Sequence, residues 1–552
     1  MRHQTRRYSC MLAPAALFTL VALLASTLGA GAATTQQGAA GPVHGGTIAI
    51  AYSDDMVTFD PQLAYSDDWA VLNGTLFNGL YQFDRSGTPR LDLAAAAPTV
   101  SADRKVWTFH MRKGVLFSNG TEMTADDVKY SITRALDPHL KPYVSWGQTT
   151  DEIFQGSQAY VAGKARSVSG IQVLGRYTIR FVLTQPVAIF PYILAESFNF
   201  VVPRAVVSKE AAGYFGNHPV GTGPFMLQAW QKGSKVVFVR NPHYFRIGKP
   251  YADKVIVYVN VAPSVIALKI EKGELAGFGA AGQLTPADLQ QAHHDPRYAG
   301  YLRPASTTTV DWLNLDVHVA PLDTLKVRQA IAMAIDRVRL VKLLGGMAIP
   351  ATQIYVPLDP QHDPALDLHP IYPYKPQQAA ALVKASGYHG QPITVMYYNN
   401  LPDWSSMAPG IQQDLKQIGL NVTLRGVSHN SGLAIFGKLT GHQISSALWS
   451  VDFFDGYDVY SGALSCGENG VGNNGAHYCD TVADDLANRA ESLPLGPARN
   501  ALLRRAQAHI LRGAAEVPLV FLKNVEMVSP KVGGFYYHAI YGWQYEHYWL
   551  KP

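Results

Sequence analysis

The residues able to do chemistry are scattered along this chain, and no catalytic constellation stands out among them. No His-Glu-x-x-His or Gly-x-Ser-x-Gly pattern occurs, and the 18 histidines form no paired ligand motif. The adjacent His293-His294 lies in a polar, Asp-containing stretch and reads as solvated surface. A secreted hydrolase would need an activated nucleophile or a metal set, and the sequence supplies neither. Cys466 and Cys479 flank a glycine-rich run. Gly467, Gly470, Gly472 and Gly475 precede no Lys-Ser/Thr and follow no buried strand, so the run is not a phosphate loop. A zinc reading needs two more ligands at close spacing, and only His477 is near. Asp452 is the sharpest binding candidate. It follows a predicted strand ending at Trp449, and in open α/β sheets ligands sit outside the carboxyl ends of strands. Asp455 and Asp458 are the alternative turn-capping acids, and Trp449 is either cleft wall or core filler.

These residues need a large scaffold. A chain of 552 residues is too long for one core, so two or more lobes are expected. Hydrophobic content of 47% with 16% charged residues is that of an ordinary globular protein. The formal net charge is +5, three of those charges being Arg2, Arg6 and Arg7 in an N-terminus without acids, so nothing argues for nucleic acid. Arg6-Arg7, the uncharged stretch from Met11 to Leu28 and the small residues Ala30 to Ala33 form a tripartite export signal. Cleavage is expected near Ala32–Ala33, and Thr5-Arg6-Arg7 leaves both the general and the twin-arginine export route open. Cys10 leaves with this segment. Cys466 and Cys479 then remain as an even pair in an oxidising compartment, and a disulfide is expected.

The mature chain opens on a strand, Gly46 to Tyr52, and Asn73 to Leu80 reads as a helix turn ending at Gly79. In residues 106–138, Trp107, Phe109 and Met111 alternate as in a half-buried strand. Ser118-Asn119-Gly120 is a turn, and Thr124 with Asp127 forms a capping box before the helical face of Val128, Ile132 and Ala135. A hairpin is expected over 170–183, and two strands over Val236–Val239 and Val255–Val259. Leu325 to Leu344 reads as one helix, with Thr324 as N-cap, Val338 on its apolar face and Gly345 as its end. The order strand 393–398, helix 407–417, strand 421–424, strand 444–449 implies a smaller α/β lobe with a partly parallel sheet. Helix 499–512 and strand 517–522 follow.

Several motifs stand in one order along this frame. Val-Trp-Thr-Phe-His-Met-Arg-Lys-Gly-Val-Leu-Phe at 106–117, Gly221-Thr222-Gly223-Pro224-Phe225 and Arg240-Asn241-Pro242 are followed by Val327-Arg328-Gln329-Ala330, Ala334-Ile335-Asp336-Arg337 and Trp449-Ser450-Val451-Asp452. The pattern resembles family 5 of the extracytoplasmic solute-binding proteins of ABC importers, the peptide- and nickel-binding type. The resemblance implies the two-lobed α/β fold of type II periplasmic binding proteins, in its large peptide-binding class, with two crossover segments. The expected layout is a signal peptide at 1–32, a first lobe at 33–262, a second at 263–522, and a return of 523–552 to the first, with crossings near 259–264 and 519–524.

The resemblance also implies a monomeric carrier in the periplasm that uses no cofactor, does no chemistry, and delivers a peptide or small amine-bearing solute to membrane permease subunits. The Cys466–Cys479 spacing resembles the disulfide loop of dipeptide-binding members. In peptide-binding relatives the Asp of Trp-x-x-Asp takes the ligand ammonium, which maps to Asp452 beside Trp449. The loop Tyr65-Ser66-Asp67-Asp68-Trp69 stands where relatives bring a first-lobe loop over the ligand, and Tyr398 stands in a ligand-facing segment. Dipeptide binders carry an arginine for the ligand carboxylate there, whereas this chain has Tyr397 to Trp404 without one, and the oligopeptide-type position holds Ser446. A free carboxylate would lack its bidentate partner, so longer peptides, a modified amine or another cationic solute fit better. A nickel- or haem-type ligand of the same family is the alternative.

Overall fold

In the computed structural model the described residues are 41–64, 74–140, 145, 153–210, 213–278, 284–298, 300–304, 308–436, 442–468, 473–523 and 525–552. From Pro42 onward the chain is one compact unit. The export signal and the loop with Tyr65, Asp67, Asp68 and Trp69 lie outside the described residues. Among the described residues no helix is long and apolar enough to cross a membrane.

In chain order the elements that matter are β1 (Thr47–Ala51), β2 (Thr99–Val100), β3 (Val106–His110), α1 (Ala125–Ala135), β4 (Ile171–Gly175), β5 (Thr178–Val182), β6 (Phe225–Gln231), β7 (Lys235–Arg240), β8 (Lys254–Tyr258), α2 (Pro263–Glu271) and β9 (Gly277–Phe278). Then come β10 (Leu302–Pro304), β11 (Thr309–Leu315), α3 (Leu325–Ala334), α4 (Arg337–Leu343), β12 (Ala348–Pro350), β13 (Pro392–Tyr398), α5 (Pro402–Gln417), β14 (Asn421–Val427), β15 (Ile444–Ser450), α6 (Pro497–Gly513), β16 (Glu516–Leu522) and β17 (Val525–Met527).

Three sheets carry the molecule. One has the order β9-β1-β8-β7-β6, a second the order β2-β3-β5-β4, and the third the order β12-β16-β11-β15-β13-β14. In the third, β13 is parallel to β14 and β15, while β11 is antiparallel to both β15 and β16, which gives the expected mixed sheet. A short antiparallel ribbon pairs Leu302–Pro304, which precede the third sheet in sequence, with Val525–Met527, which follow it. Near the C-terminus, Trp543, Tyr545 and Tyr548 pack with Ile48, Ile50 and Val255. Arg246 ties this return in place through Asp92 at 2.6 Å and Glu546 at 3.0 Å.

Local reasons for these elements are visible in single residues. The Thr124 amide donates to Asp127 Oδ2 at 2.8 Å, satisfying one of the orphan amides at the start of α1. The Gly-Thr-Gly-Pro-Phe segment exists because two loops touch there. A Cβ on Gly221 would stand 2.0 Å from the Leu76 carbonyl oxygen. Asn241 Nδ2 donates to the Gly223 carbonyl at 2.8 Å, so the Arg-Asn-Pro motif holds the same junction.

Three expectations are corrected. Leu325–Leu344 is two helices, because Asp336 breaks the run: its side chain caps α4 through the Arg339 amide at 3.0 Å, and its own amide donates to Asp414. Val338, expected on the apolar face, is 57% exposed. Asn73 lies outside the described residues, and the described residues 74–80 form a turn at 74–76 and no helix. Past 259–264, Gly277 and Phe278 of β9 still pair with Ile50 and Ala51 of β1.

Candidate functional site

Strands β11 and β15 run antiparallel side by side, with Thr309 opposite Ser450 at one end and Leu315 opposite Ile444 at the other. Side chains alternate across a strand, so β11 serves two cores at once. Val310 and Trp312 pack with Phe453 and Tyr460 on one face, and Leu313 and Leu315 pack with Trp404 and Ile411 on the other. Asp311 falls on the second face, in register with Leu448.

The carboxyl end of β15 leads straight into an acid-rich turn. Thr309 and Ser450 share a hydroxyl hydrogen bond at 2.7 Å, and the Val451 amide donates to the Thr308 carbonyl. Asp458 is the capping residue of this turn. Its Oδ2 accepts from the Trp449 indole and from the Asp452 amide, both at 2.9 Å. Trp449 is thereby fixed as a half-buried wall, and a Cβ on Gly462 would stand 2.3 Å from the indole, so only glycine lets the ring lie there.

Asp452 differs from its neighbours. No described residue donates a hydrogen bond to its carboxylate, and burial pushes its pKa up to about 7. Burial, and then the Asp452 charge, raise Asp458 well above the carboxylate range. Asp455 is satisfied instead: it is paired with the fully buried Arg499, through Nη1 and through Nη2 at 2.8 Å, and accepts from Gln361 Nε2 at 3.0 Å. Asp455 is therefore a structural ion pair, which the sequence did not reveal.

Tyr398 ends β13 as a buried residue, 3% exposed, with its ring edge-to-face against Trp404 at 6.3 Å and His429 at 4.7 Å. Burial, then the nearby Asp311 charge, push its hydroxyl pKa up. Asp311 itself is fully buried and feels the charge of Asp403 at the start of α5. Burial, then the Asp403 charge, raise Asp311 well above the carboxylate range, while burial raises Asp403. Neighbouring carboxyls raised together favour the state in which one proton serves the pair. The structure joins Trp449 and Asp452 through the Asp458 carboxylate, sets Tyr398 near Asp311, and adds Asp311 and Asp403 to the residues named from the sequence. The missed signal for Asp311 was its parity: it is the one acid on a strand face otherwise filled by Leu313 and Leu315.

Chemically, this end of the sheet holds carboxyl groups with a deficit of cations. A buried acid without donors gains most from a ligand ammonium, whose charge-assisted hydrogen bonds strengthen as water leaves. At the opposite end of the same strand pair lie Asp316, His442 and His477, all buried, with ligand atoms within 4.8 Å of one another. The disulfide between Cys466 and Cys479 is formed.

Comparison with known proteins agrees with the geometry. Residues 88–471 match the family model of bacterial extracellular solute-binding proteins, family 5. The chain is 29% identical over 500 residues to Di/tripeptide-binding protein 1 of Pseudomonas aeruginosa, covering 86% of this chain and 88% of that one. Its fold is similar to that of Clavulanic acid biosynthesis oligopeptide binding protein 2, with a TM-score of 0.83 at 21% identity over 92% of this chain and 96% of the other. A periplasmic binding protein from Helicobacter pylori in complex with the peptide STSA superposes with a TM-score of 0.79 at 24% identity, over 92% and 99% of the two chains. The chain has the fold of the peptide-binding periplasmic proteins and, as a member of this family of binding proteins and not of enzymes, belongs to the bacterial extracellular solute-binding proteins, family 5.

Proposed function

We propose that this protein is the extracytoplasmic receptor of an ABC importer, capturing a peptide or another amine-bearing solute between two lobes and handing it to the permease. The observation that carries the reading is Asp452: a carboxylate at the end of β15, beside a fixed indole, that no described residue hydrogen-bonds. Its partner in the filled site is a ligand ammonium. The printed names of the relatives, di/tripeptide- and oligopeptide-binding proteins, support a peptide-like ligand. In this reading the first two sheets, with the C-terminal return, form one lobe, and the β11–β15 sheet forms the other. The crossings are the ribbon β10–β17 and its flanks, which fits better than 259–264 because β9 still belongs to the first sheet. The protein acts in the periplasm as a monomer after removal of its leader.

Native mass spectrometry of protein taken from its own compartment identifies the co-purified solute, and calorimetry then tests the clamp. Asp452→Ala is expected to weaken binding of that solute by about 2–5 kcal/mol, roughly 30-fold or more. N-acetylating the solute should cause the same loss, and the two losses should not add. Wild-type affinity in Asp452→Ala for a free-amine ligand would refute the assignment.

A further inference from the structure

The Cys466–Cys479 loop carries a second constraint besides its disulfide. His477 sits two residues before Cys479 with φ of 52°, a left-handed conformation uncommon outside glycine and typical of positions held by their surroundings. Its Nδ1 lies 3.1 Å from Asp316 Oδ2, and both side chains are fully buried. Asp316 immediately follows β11, and His442 stands just ahead of β15. Three segments far apart in sequence thus converge on one buried point.

The second contacts of these side chains fix their donor atoms. His442 Nε2 lies 2.7 Å from the Gly475 carbonyl. A carbonyl only accepts, so Nε2 carries the proton and Nδ1 is the lone-pair nitrogen of the neutral ring. Asp316 Oδ1 accepts from the His318 amide at 3.0 Å, which turns Oδ2 toward His477. An imidazole held by a backbone carbonyl and a carboxylate held by an amide are the outer contacts that orient metal ligands. The 3.1 Å between Nδ1 and Oδ2 suits chelation as well. Bonds of about 2.0–2.2 Å to a tetrahedral ion place neighbouring donors roughly 3.3 Å apart.

We propose that Asp316, His442 and His477 form a binding site for one divalent transition-metal ion of the zinc type, which ties the disulfide-closed loop to the adjoining ends of β11 and β15. Two imidazoles and a carboxylate suit zinc, cobalt or nickel, whereas calcium and magnesium ask for oxygen donors alone. Three protein donors leave one coordination position to water. The exposed His318 ring stacks over His477, with centroids 6.5 Å apart, and marks the solvent side from which an ion enters. The site is independent of the solute captured at Asp452.

The test uses the whole mature chain, stripped with a chelator and reloaded with zinc sulfate. One zinc per chain should survive gel filtration, the melting temperature should rise on loading, and cobalt should give the visible absorption of a low-symmetry nitrogen–oxygen site. Calcium and magnesium should do none of this. His442→Gln and Asp316→Asn should each weaken zinc binding by about 100-fold or more, since loss of an outer contact alone costs 10–100-fold. The double variant His293→Gln/His294→Gln, on an exposed helix end, should bind as wild type. A folded wild-type chain that retains no zinc and gives no cobalt spectrum overturns the proposal. So does an unchanged stoichiometry and spectrum in His442→Gln, which would assign the metal to surface histidines. Should either ligand variant fail to fold, the wild-type cobalt spectrum and its reversal by chelator decide the question alone.

Discussion

The two ends of the β11–β15 pair share a backbone and oppose each other in charge compensation. At the Leu315–Ile444 end, burial pushes Asp316 up, but hydrogen bonds from His477 and the His318 amide outweigh it, and the carboxyl is held below its ordinary range. At the Thr309–Ser450 end burial wins: Asp458 is raised although it accepts from the Trp449 indole and the Asp452 amide, and Asp452 and Asp311 are raised as well. The difference is one of balance between burial and partners, since Asp316, Asp311 and Asp458 are all buried while Asp452 is half-buried. A carboxyl whose donors outweigh its burial is held ionised by the fold, whereas one whose burial wins is held protonated until a cation reaches it. The first end is therefore the better compensated of the two, and the second holds the acids that a cation would ionise.

Asp455 offers the sharpest way to break this comparison, because it sits among the raised acids yet owns a cation. Replacing Arg499 with Met should leave Asp455 buried and unpaired, turning a satisfied acid into an unsatisfied one. Removing one partner of a buried pair typically costs about 3–5 kcal/mol. Arg499→Met should lower the urea midpoint accordingly without altering the slope. A loss under about 1 kcal/mol would mean that Asp455 needs no internal cation, and the contrast with Asp452 would collapse. Asp455→Ala strips the same pair from the other side, so it serves as a stability variant and not as a neutral control for ligand binding.

Next in size is the pH dependence of capture. With its pKa at about 7, Asp452 is mostly protonated below that value in the empty site. A bound ammonium stabilises the carboxylate, so binding must expel a proton. Affinity is then full above about pH 7 and falls toward acid by about tenfold per pH unit, until the lower pKa of the bound state is reached. Calorimetry of an amine ligand in buffers of different ionisation enthalpy should detect about one proton released near pH 6. An acetylated ligand should release none. A pH-independent affinity between 5 and 7 would detach Asp452 from the ligand.

The contrast also marks what the sequence could say. Strand and helix order in the third sheet was legible because each element carries its own period, as in Ile393–Tyr398 and Val517–Leu522. Trp449-x-x-Asp452 was legible because it is local. The break at Asp336 was not, since an apolar face continues through it and only the capping geometry reveals two helices. Arg499 on Asp455, Asp403 on Asp311 and the meeting of Asp316, His442 and His477 were likewise hidden, because each joins segments that the fold alone brings together. Asp311 came nearest to discovery, as a polar residue on a face of leucines.

Asp311 and Asp403 supply the finest test, because they pair two acids with no ligand involved. Burial, then the Asp403 charge, raise the Asp311 pKa, so the folded state binds a proton that the unfolded chain has already released. The sign follows from that difference. Stability from the shared proton is complete below the unfolded pKa of about 4 and is lost as pH rises toward the folded pKa. Asp311→Asn keeps the shape and donates permanently to Asp403, so its hydrogen bond no longer depends on a titrating proton. The variant should lie within about 1 kcal/mol of wild type at low pH, on the scale of a single hydrogen bond. It should gain on wild type as pH rises, flattening the alkaline limb of the denaturation midpoint. Parallel limbs for the two proteins would mean that the Asp311 proton is lost at the same pH folded and unfolded, and the acid end would then owe its character to Asp452 and Asp458 alone.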